Sequence, residues 1–342
     1  MKYYLETYRK KANHAGSKAV DDCVTIMKSL GFKRITLFRE DHKNVLKNFS
    51  AHIKNNQNFK GIEANSIIVI EHPLYIHSKY LKLLSNWKEK LQLKLIFIVH
   101  DLEIIRNTLD DSDFYAKRDL LMFHIADKII VHNNSMANVL IKKFKVSTKK
   151  IVILGIFDYL VSSGFSPKLH KLSKKVIIAG NLDSSKVGYL KEINQLNNIS
   201  FELYGNKIKE QYNNIHYNGS FKPDELCFKL NGSFGLVWDG NTISTCSGNY
   251  GSYLKYNDPH KLSLYLACAI PVIVWKKSAV ASFVEKNHVG ITVNSLYELN
   301  DRISNLSEAE YKNLCKNAEN ISNQVRHGSY LCHALTVAVS EL

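Results

Sequence analysis

Short runs of apolar, mostly β-branched residues recur along the chain, separated by stretches in which apolar positions fall every three or four residues. The runs lie at 34–38, 66–70, 93–99, 128–132, 151–154, 175–179, 201–204, 234–238 and 270–274. So few polar groups interrupt them that they predict parallel strands covered on both faces. Val20, Val24, Met27 and Leu30 mark a helical stripe that Gly31 ends, and Leu81, Leu84, Trp87 and Leu91 mark another. Strands alternating with helices of about ten to fifteen residues imply βαβ units, hence doubly wound α/β architecture.

The pattern lapses once. From 155 to 174 the chain carries Ser162, Ser163, Gly164, Ser166 and Pro167 with no sustained period, and a new strand begins at Lys175. This predicts an N-terminal α/β domain over 1–156, a linker over 157–172, and a second α/β domain over 173–320. A C-terminal helix over 321–342, part of a helical pattern from Ser307 onward, is expected to return to the first domain. The length of 342 residues suits two domains of roughly 150 each. Two open parallel sheets facing across a cleft would bind ligands at their carboxyl ends.

Composition narrows the class of ligand. With 45% hydrophobic and 23% charged residues the chain is globular. No apolar run reaches the roughly 18 residues of a membrane span, and the longest, 262–275, is interrupted by Pro271. Residues 1–11 lack the apolar segment of a secretory signal, which points to the cytoplasm. Forty-six Lys and Arg against 31 Asp and Glu leave a charge of +15 and favour an anionic partner. The basic residues are scattered, with no zinc-finger spacing, aromatic RNA-binding string or basic heptads, so no nucleic-acid partner is expected. Six cysteines without a CxxC pair predict reduced thiols and no metal.

The densest candidate chemistry lies between 234 and 274. The strand ends in Asp239-Gly240, and the stretch Cys246-Ser247-Gly248-Asn249-Tyr250-Gly251-Ser252-Tyr253 follows. Then Asn257-Asp258-Pro259-His260-Lys261 opens a helix, with Asn257 or Asp258 as N-cap and Pro259 at its first position. Unpaired N–H groups at a helix start, with Lys261 in the first turn, suit a diphosphate. The same residues equally describe a well-capped surface helix after a mobile loop. Gly180-Asn181, followed by Ser184, Ser185 and Lys186, forms a second strand exit, and Phe221 offers either a stacking ring or a core residue. In the first domain, the loop 13–18 between the first strand and first helix carries His14 and Gly16. His14 and Asp101, the latter in the strand exit His100-Asp101, are the candidate bases, and Glu71-His72-Pro73 is a further exit of that kind.

The runs 232–240, 245–267 and 270–274, with 13–18, His100-Asp101, 156–160 and Ala179-Gly180-Asn181, together resemble the bacterial β-1,6-galactofuranosyltransferase family. They are also similar to the glucosyltransferases that extend glycans on serine-rich-repeat adhesins. The resemblance implies a GT-B glycosyltransferase with two Rossmann-like domains, moving a hexose from a UDP-sugar to a glycan acceptor without a metal or other cofactor. It implies that Lys261, with His260, Pro259 and Asn257, holds the UDP phosphates. Asn181, Lys186, Phe221 and Asp239 would line the donor site, and the loop carrying Ser247, Gly248 and Tyr253 would close over it. The glutamate that reads ribose in other GT-B enzymes is absent from this helix. The expected reaction is inverting, with galactofuranose, glucose or N-acetylglucosamine as the transferred sugar, and lipid-linked or protein-linked glycan as acceptor. Self-association and peripheral contact with the anionic inner membrane face are expected partners. A nucleotide-sugar-binding module without catalysis is the alternative.

Overall fold

The computed structural model describes residues 1–7, 15–38, 45–74, 79–107, 112–162, 164–168, 170–206 and 213–342. The apolar runs become strands in two all-parallel sheets. The first holds β1 (Lys2–Thr7), β2 (Lys33–Leu37), β3 (Ile67–His72), β4 (Lys94–Val99), β5 (Lys128–Val131) and β6 (Ile151–Ile153). The second holds β7 (Lys175–Gly180), β8 (Ser200–Gly205), β9 (Ile215–Tyr217), β10 (Phe234–Val237), β11 (Val272–Trp275) and β12 (Gly290–Val293). Their spatial orders are β2-β1-β3-β4-β5-β6 and β12-β11-β10-β7-β8-β9. The second is the order of a dinucleotide-binding Rossmann sheet and the first that of a flavodoxin-like one.

Burial explains the strand sequences. In β7, Val176 and Ile178 point into one cluster with Phe201, Leu203, Phe234 and Leu236. Ile177 and Ala179 point into another with Val237, Val272, Val274 and Tyr265. Both faces are dry, so every position is apolar and no alternation appears. The first sheet behaves alike, with Ile68–Ile70 and Leu95–Val99 fully buried.

Where the structure departs from the apolar-run reading, backbone chemistry gives the reason. Helix His260–Ala267 ends with Ala269 in the left-handed region (φ 55°), and Pro271 has no N–H to give the ladder, so β11 starts at Val272, two residues later than the run at 270. β9 is an exposed edge strand of three residues, and β12 opens on a glycine; neither makes an apolar run. The helical tail is two helices, Glu308–Arg326 and Ser329–Ser340, separated at Gly328 (φ 75°). Ser307 starts the first with a capping box: its hydroxyl accepts from Glu310 N–H while the Glu310 carboxylate accepts from Ser307 N–H. Cys23, Cys227, Cys246 and Cys268 are buried.

The chain divides into two compact units. One comprises Met1–Ala12, Cys23–Leu154 and Leu331–Leu342; the other comprises Asn13–Asp22 and Gly155–Tyr330. One segment thus lies elsewhere than a cut at 156 and 173 puts it. The 13–22 segment is held in the second unit by Lys18, whose ammonium reaches Asp22 Oδ1 at 2.6 Å, Leu160 O at 2.6 Å and Asp224 Oδ1 at 3.2 Å. The last helix belongs to the first unit, where Glu341 Oε2 pairs with Lys128 Nζ at 2.6 Å.

Candidate active site

The chain leaves β7 toward β8 but leaves β10 toward β11, in opposite directions across the second sheet, although β7 and β10 are neighbours. The connections that follow them therefore diverge, which makes this the topological switch point at which open α/β sheets take ligands. Gly180 ends β7 at φ 125° with open space where a side chain would stand. Gly240 follows β10 at φ 121°, and a Cβ there would collide with the Ser247 backbone, so loop 238–247 folds tightly on itself. Tyr265 pins the β7 exit: its hydroxyl accepts from Ala179 N–H at 2.8 Å and donates to Ile177 O at 3.3 Å. Its ring fills the space above Gly235, where any Cβ would overlap it.

Three charged groups meet at this edge. Lys261, in the first turn of helix His260–Ala267, donates to Trp238 O at 3.1 Å and Asp239 Oδ1 at 2.7 Å. Lys186 Nζ approaches Asp239 Oδ2 at 3.9 Å and lies 5.8 Å from the Tyr250 ring centre. Burial pushes the Lys261 ammonium below the usual lysine range, Asp239 opposes that shift, and Lys186 adds to it. With both lysines protonated, two positive charges surround one negative, leaving a net positive seat beside the unpaired N–H groups of a helix start. Nearby, Asn257 Oδ1 is buried with no hydrogen-bond partner among the described residues, an acceptor that a donor group on a ligand would satisfy.

Other expected site residues take other roles. Pro259 (φ −65°, ψ 132°) is itself the N-cap, without a side-chain cap, so the helix starts one residue later than Asp258 capping, and two later than Asn257 capping, requires. The 248–253 loop is a short helix, Gly248–Tyr253, with Ser247 at its N-cap and Tyr253 buried. Gly248 (φ 69°) lies against Asn241. The His260 ring packs on Tyr159 at 5.0 Å and Phe157 at 6.2 Å. Burial, and then the Lys18 charge, push its pKa down to about 4. Asn181 Oδ1 accepts from Asp183 N–H at 3.0 Å, closing a local turn. Phe221 packs against the core beside Tyr204 with Lys229 above it.

In the first unit, Asp101 is paired with Arg106 at 2.7 Å. His14 lies outside the described residues, and Gly16 falls in helix Ala15–Ser29. The carboxyl edge of the first sheet is rich in acids and imidazoles. His72 Nε2 meets Asp119 Oδ1 at 2.6 Å, and the other Asp119 oxygen accepts from Ile104 N–H at 2.8 Å. His100 Nε2 lies 4.0 Å from Glu71 Oε2. His132 is fully buried, bonds Val99 O at 2.9 Å, and is pushed by desolvation to about 4. Sequence reasoning passed over Tyr265 and Lys18, because an isolated Tyr or Lys inside a helical stripe carries no local signal.

Comparison with known proteins decides the family. Residues 1–156 match the N-terminal domain, and 176–338 the C-terminal domain, of the glucosyltransferase 3-like family. The chain belongs to that family. It is 30% identical over 348 aligned positions to the β-1,6-galactofuranosyltransferase WbbI of Escherichia coli K12, covering 99% of each. Sucrose-phosphate synthase of Thermosynechococcus elongatus superposes with a TM-score of 0.64 at 13% identity, over 99% of this chain and 98% of that one. The Anabaena protein HepE, solved with UDP-glucose, gives 0.60 at 11% identity over 99% of each. The fold is GT-B, built of two Rossmann-like units, and membership makes this glucosyltransferase 3-like chain a hexosyltransferase.

Proposed function

We propose that this enzyme transfers galactofuranose, glucose or N-acetylglucosamine from a UDP-sugar to a glycan acceptor of a surface polysaccharide or glycoprotein, with inversion and without a metal. The observation that carries this is the Lys186–Asp239–Lys261 group at the start of helix His260–Ala267, a net positive seat at the switch point of a Rossmann sheet. WbbI and HepE, a galactofuranosyltransferase and a protein holding UDP-glucose, are consistent with that donor class.

In the proposed reaction the acceptor hydroxyl gives its proton to a base and its oxygen attacks the anomeric carbon. The bond from that carbon to the donor's phosphate oxygen breaks, and UDP leaves. The lysines and the helix start stabilise the negative charge growing on the departing phosphate. Asp239, tied to Lys261 before the donor arrives, keeps that cation in place and lowers the cost of burying it. Asp101 is committed to Arg106, which favours His14 as the base. Separate His14→Ala and Asp101→Asn replacements, with donor affinity measured beside turnover, decide between them: the base keeps affinity and loses rate.

The direct test is a panel of UDP-sugars with glycan acceptors, followed by UDP release. Release that depends on acceptor supports transfer; donor binding with no release on any acceptor supports a binding module. No helix among the described residues is long and apolar enough to cross a membrane. Docking to an anionic membrane face, suggested by the +15 charge, predicts sedimentation with anionic but not neutral vesicles.

A further inference from the structure

The first unit gathers a thiol, a carboxylate and an imidazole that the transfer reaction leaves unused. Cys23 stands on helix Ala15–Ser29, Glu71 is the penultimate residue of β3, and His100 follows the last residue of β4. One ligand atom from each lies within 4.8 Å of the other two. Cys23 and Glu71 are 3% and 8% exposed. Glu71 sits on β3 opposite Ile98 of β4, and His100, one residue past β4, donates its N–H to His72 O at 2.8 Å, so the backbone beneath both is fixed.

We propose that Cys23, Glu71 and His100 bind a borderline transition-metal ion, Zn²⁺ foremost, with the fourth position left for water or an oxygen ligand. A tetrahedral ion about 2.0–2.3 Å from each ligand holds them about 3.3–3.8 Å apart. The observed spread closes to that range by rotating the glutamate and the ring by about an ångström. The donor set selects the metal: thiolate and imidazole suit Zn²⁺ and its neighbours, whereas Mg²⁺ and Ca²⁺ want oxygen throughout. Charge agrees. On binding, the Cys23 thiol releases its proton to solvent, and thiolate plus carboxylate then neutralise a divalent ion in a largely buried place. These residues belong to the first unit and the lysine seat to the second, so the site is independent of the donor reading.

Co²⁺ is the probe, because its thiolate complexes absorb in the near ultraviolet. Added to the chelator-treated full chain, about one equivalent should give that charge-transfer band, and Zn²⁺ should abolish it by displacement while excess Mg²⁺ does not. Cys23→Ser should remove the band. Glu71→Gln and His100→Gln, checked for native circular dichroism, should keep a thiolate band but weaken Co²⁺ affinity at least about ten-fold. They keep the test valid if the serine variant fails to fold. No band with the wild-type chain, a band that survives Cys23→Ser, or unchanged affinity in both glutamine variants overturns the proposal.

Discussion

The two units solve one architectural problem with opposite chemistry. Each is a parallel six-stranded sheet with dry faces, and each gathers polar residues at its carboxyl edge. At the second unit's carboxyl edge stand Gly180, Gly240, Lys186 and Lys261, with Asp239 between the lysines and Asp183 in the turn after β7. At the first unit's edge stand Glu71, His72, His100 and Asp101, with Asp119 of helix Ser112–Ile125 bonded to His72. A sheet edge is indifferent scaffold; the side chains at its strand exits decide whether it attracts a diphosphate or handles protons and cations.

Removing the cation from the second edge gives the largest expected effect. Lys261→Ala should lower turnover by about 10²-fold or more, the scale of losing one charge stabiliser, with folding intact. Steady-state kinetics over a donor series checks this. Turnover within a few-fold of wild type would remove the lysine seat from the comparison.

Next is the packing that shapes that edge. Gly235→Ala puts a methyl into the Tyr265 ring, which must shift and release its bonds to Ala179 and Ile177. A loss of about 1–3 kcal/mol is expected, read as a lower Tm, because overpacking in a close-packed interior costs that much. A variant as stable as wild type would show that Tyr265 does not anchor the exit of β7.

Acid sensitivity separates the units more finely. His132 in the first and His260 in the second are both held near pKa 4, against an ordinary 6.5, chiefly by burial. Between those values the unfolded chain binds the proton and the folded chain does not. Stability is therefore complete above about pH 6.5 and falls as pH drops toward 4, by at most about 3 kcal/mol per ring. The second unit also carries an opposing group. Burial raises the Asp22 carboxyl to about 6 despite Lys18, so its contribution is complete below pH 3.8 and is lost as pH rises through 6. His132→Gln should accordingly flatten the decline in Tm between pH 7 and 4.5; an equally steep decline would contradict the assignment. The smallest expected effect is that of Asp101→Asn, a change in turnover of only a few-fold, because its carboxylate already serves Arg106. A loss of rate with donor affinity kept would instead make Asp101 the base.

The sequence disclosed the fold where burial on two faces forces unbroken apolar runs, as in β4 and β7, and hid it where strands are short or at an edge, as in β9 and β12. Lys261 and Asp239 were legible because each sits beside a strand or helix end with glycine or proline nearby. Their ion pair was not, since residues 239 and 261 meet only once β10 and the following helix are packed. A polar-looking loop composition does not reveal that 248–253 folds as a helix or that Tyr159 and Phe157 pack on the His260 imidazole. The thiol, carboxylate and imidazole of the first edge come from three distant segments, which no spacing rule could join.

The central claim is that the second unit seats a diphosphate on Lys186 and Lys261, and calorimetric titration with UDP and with uridine tests it most directly. The wild-type chain should bind UDP far more tightly than uridine, and Lys186→Ala with Lys261→Ala together should erase most of that difference while leaving uridine binding nearly unchanged. If the double variant keeps the full preference for UDP, the phosphates lie elsewhere and the account fails.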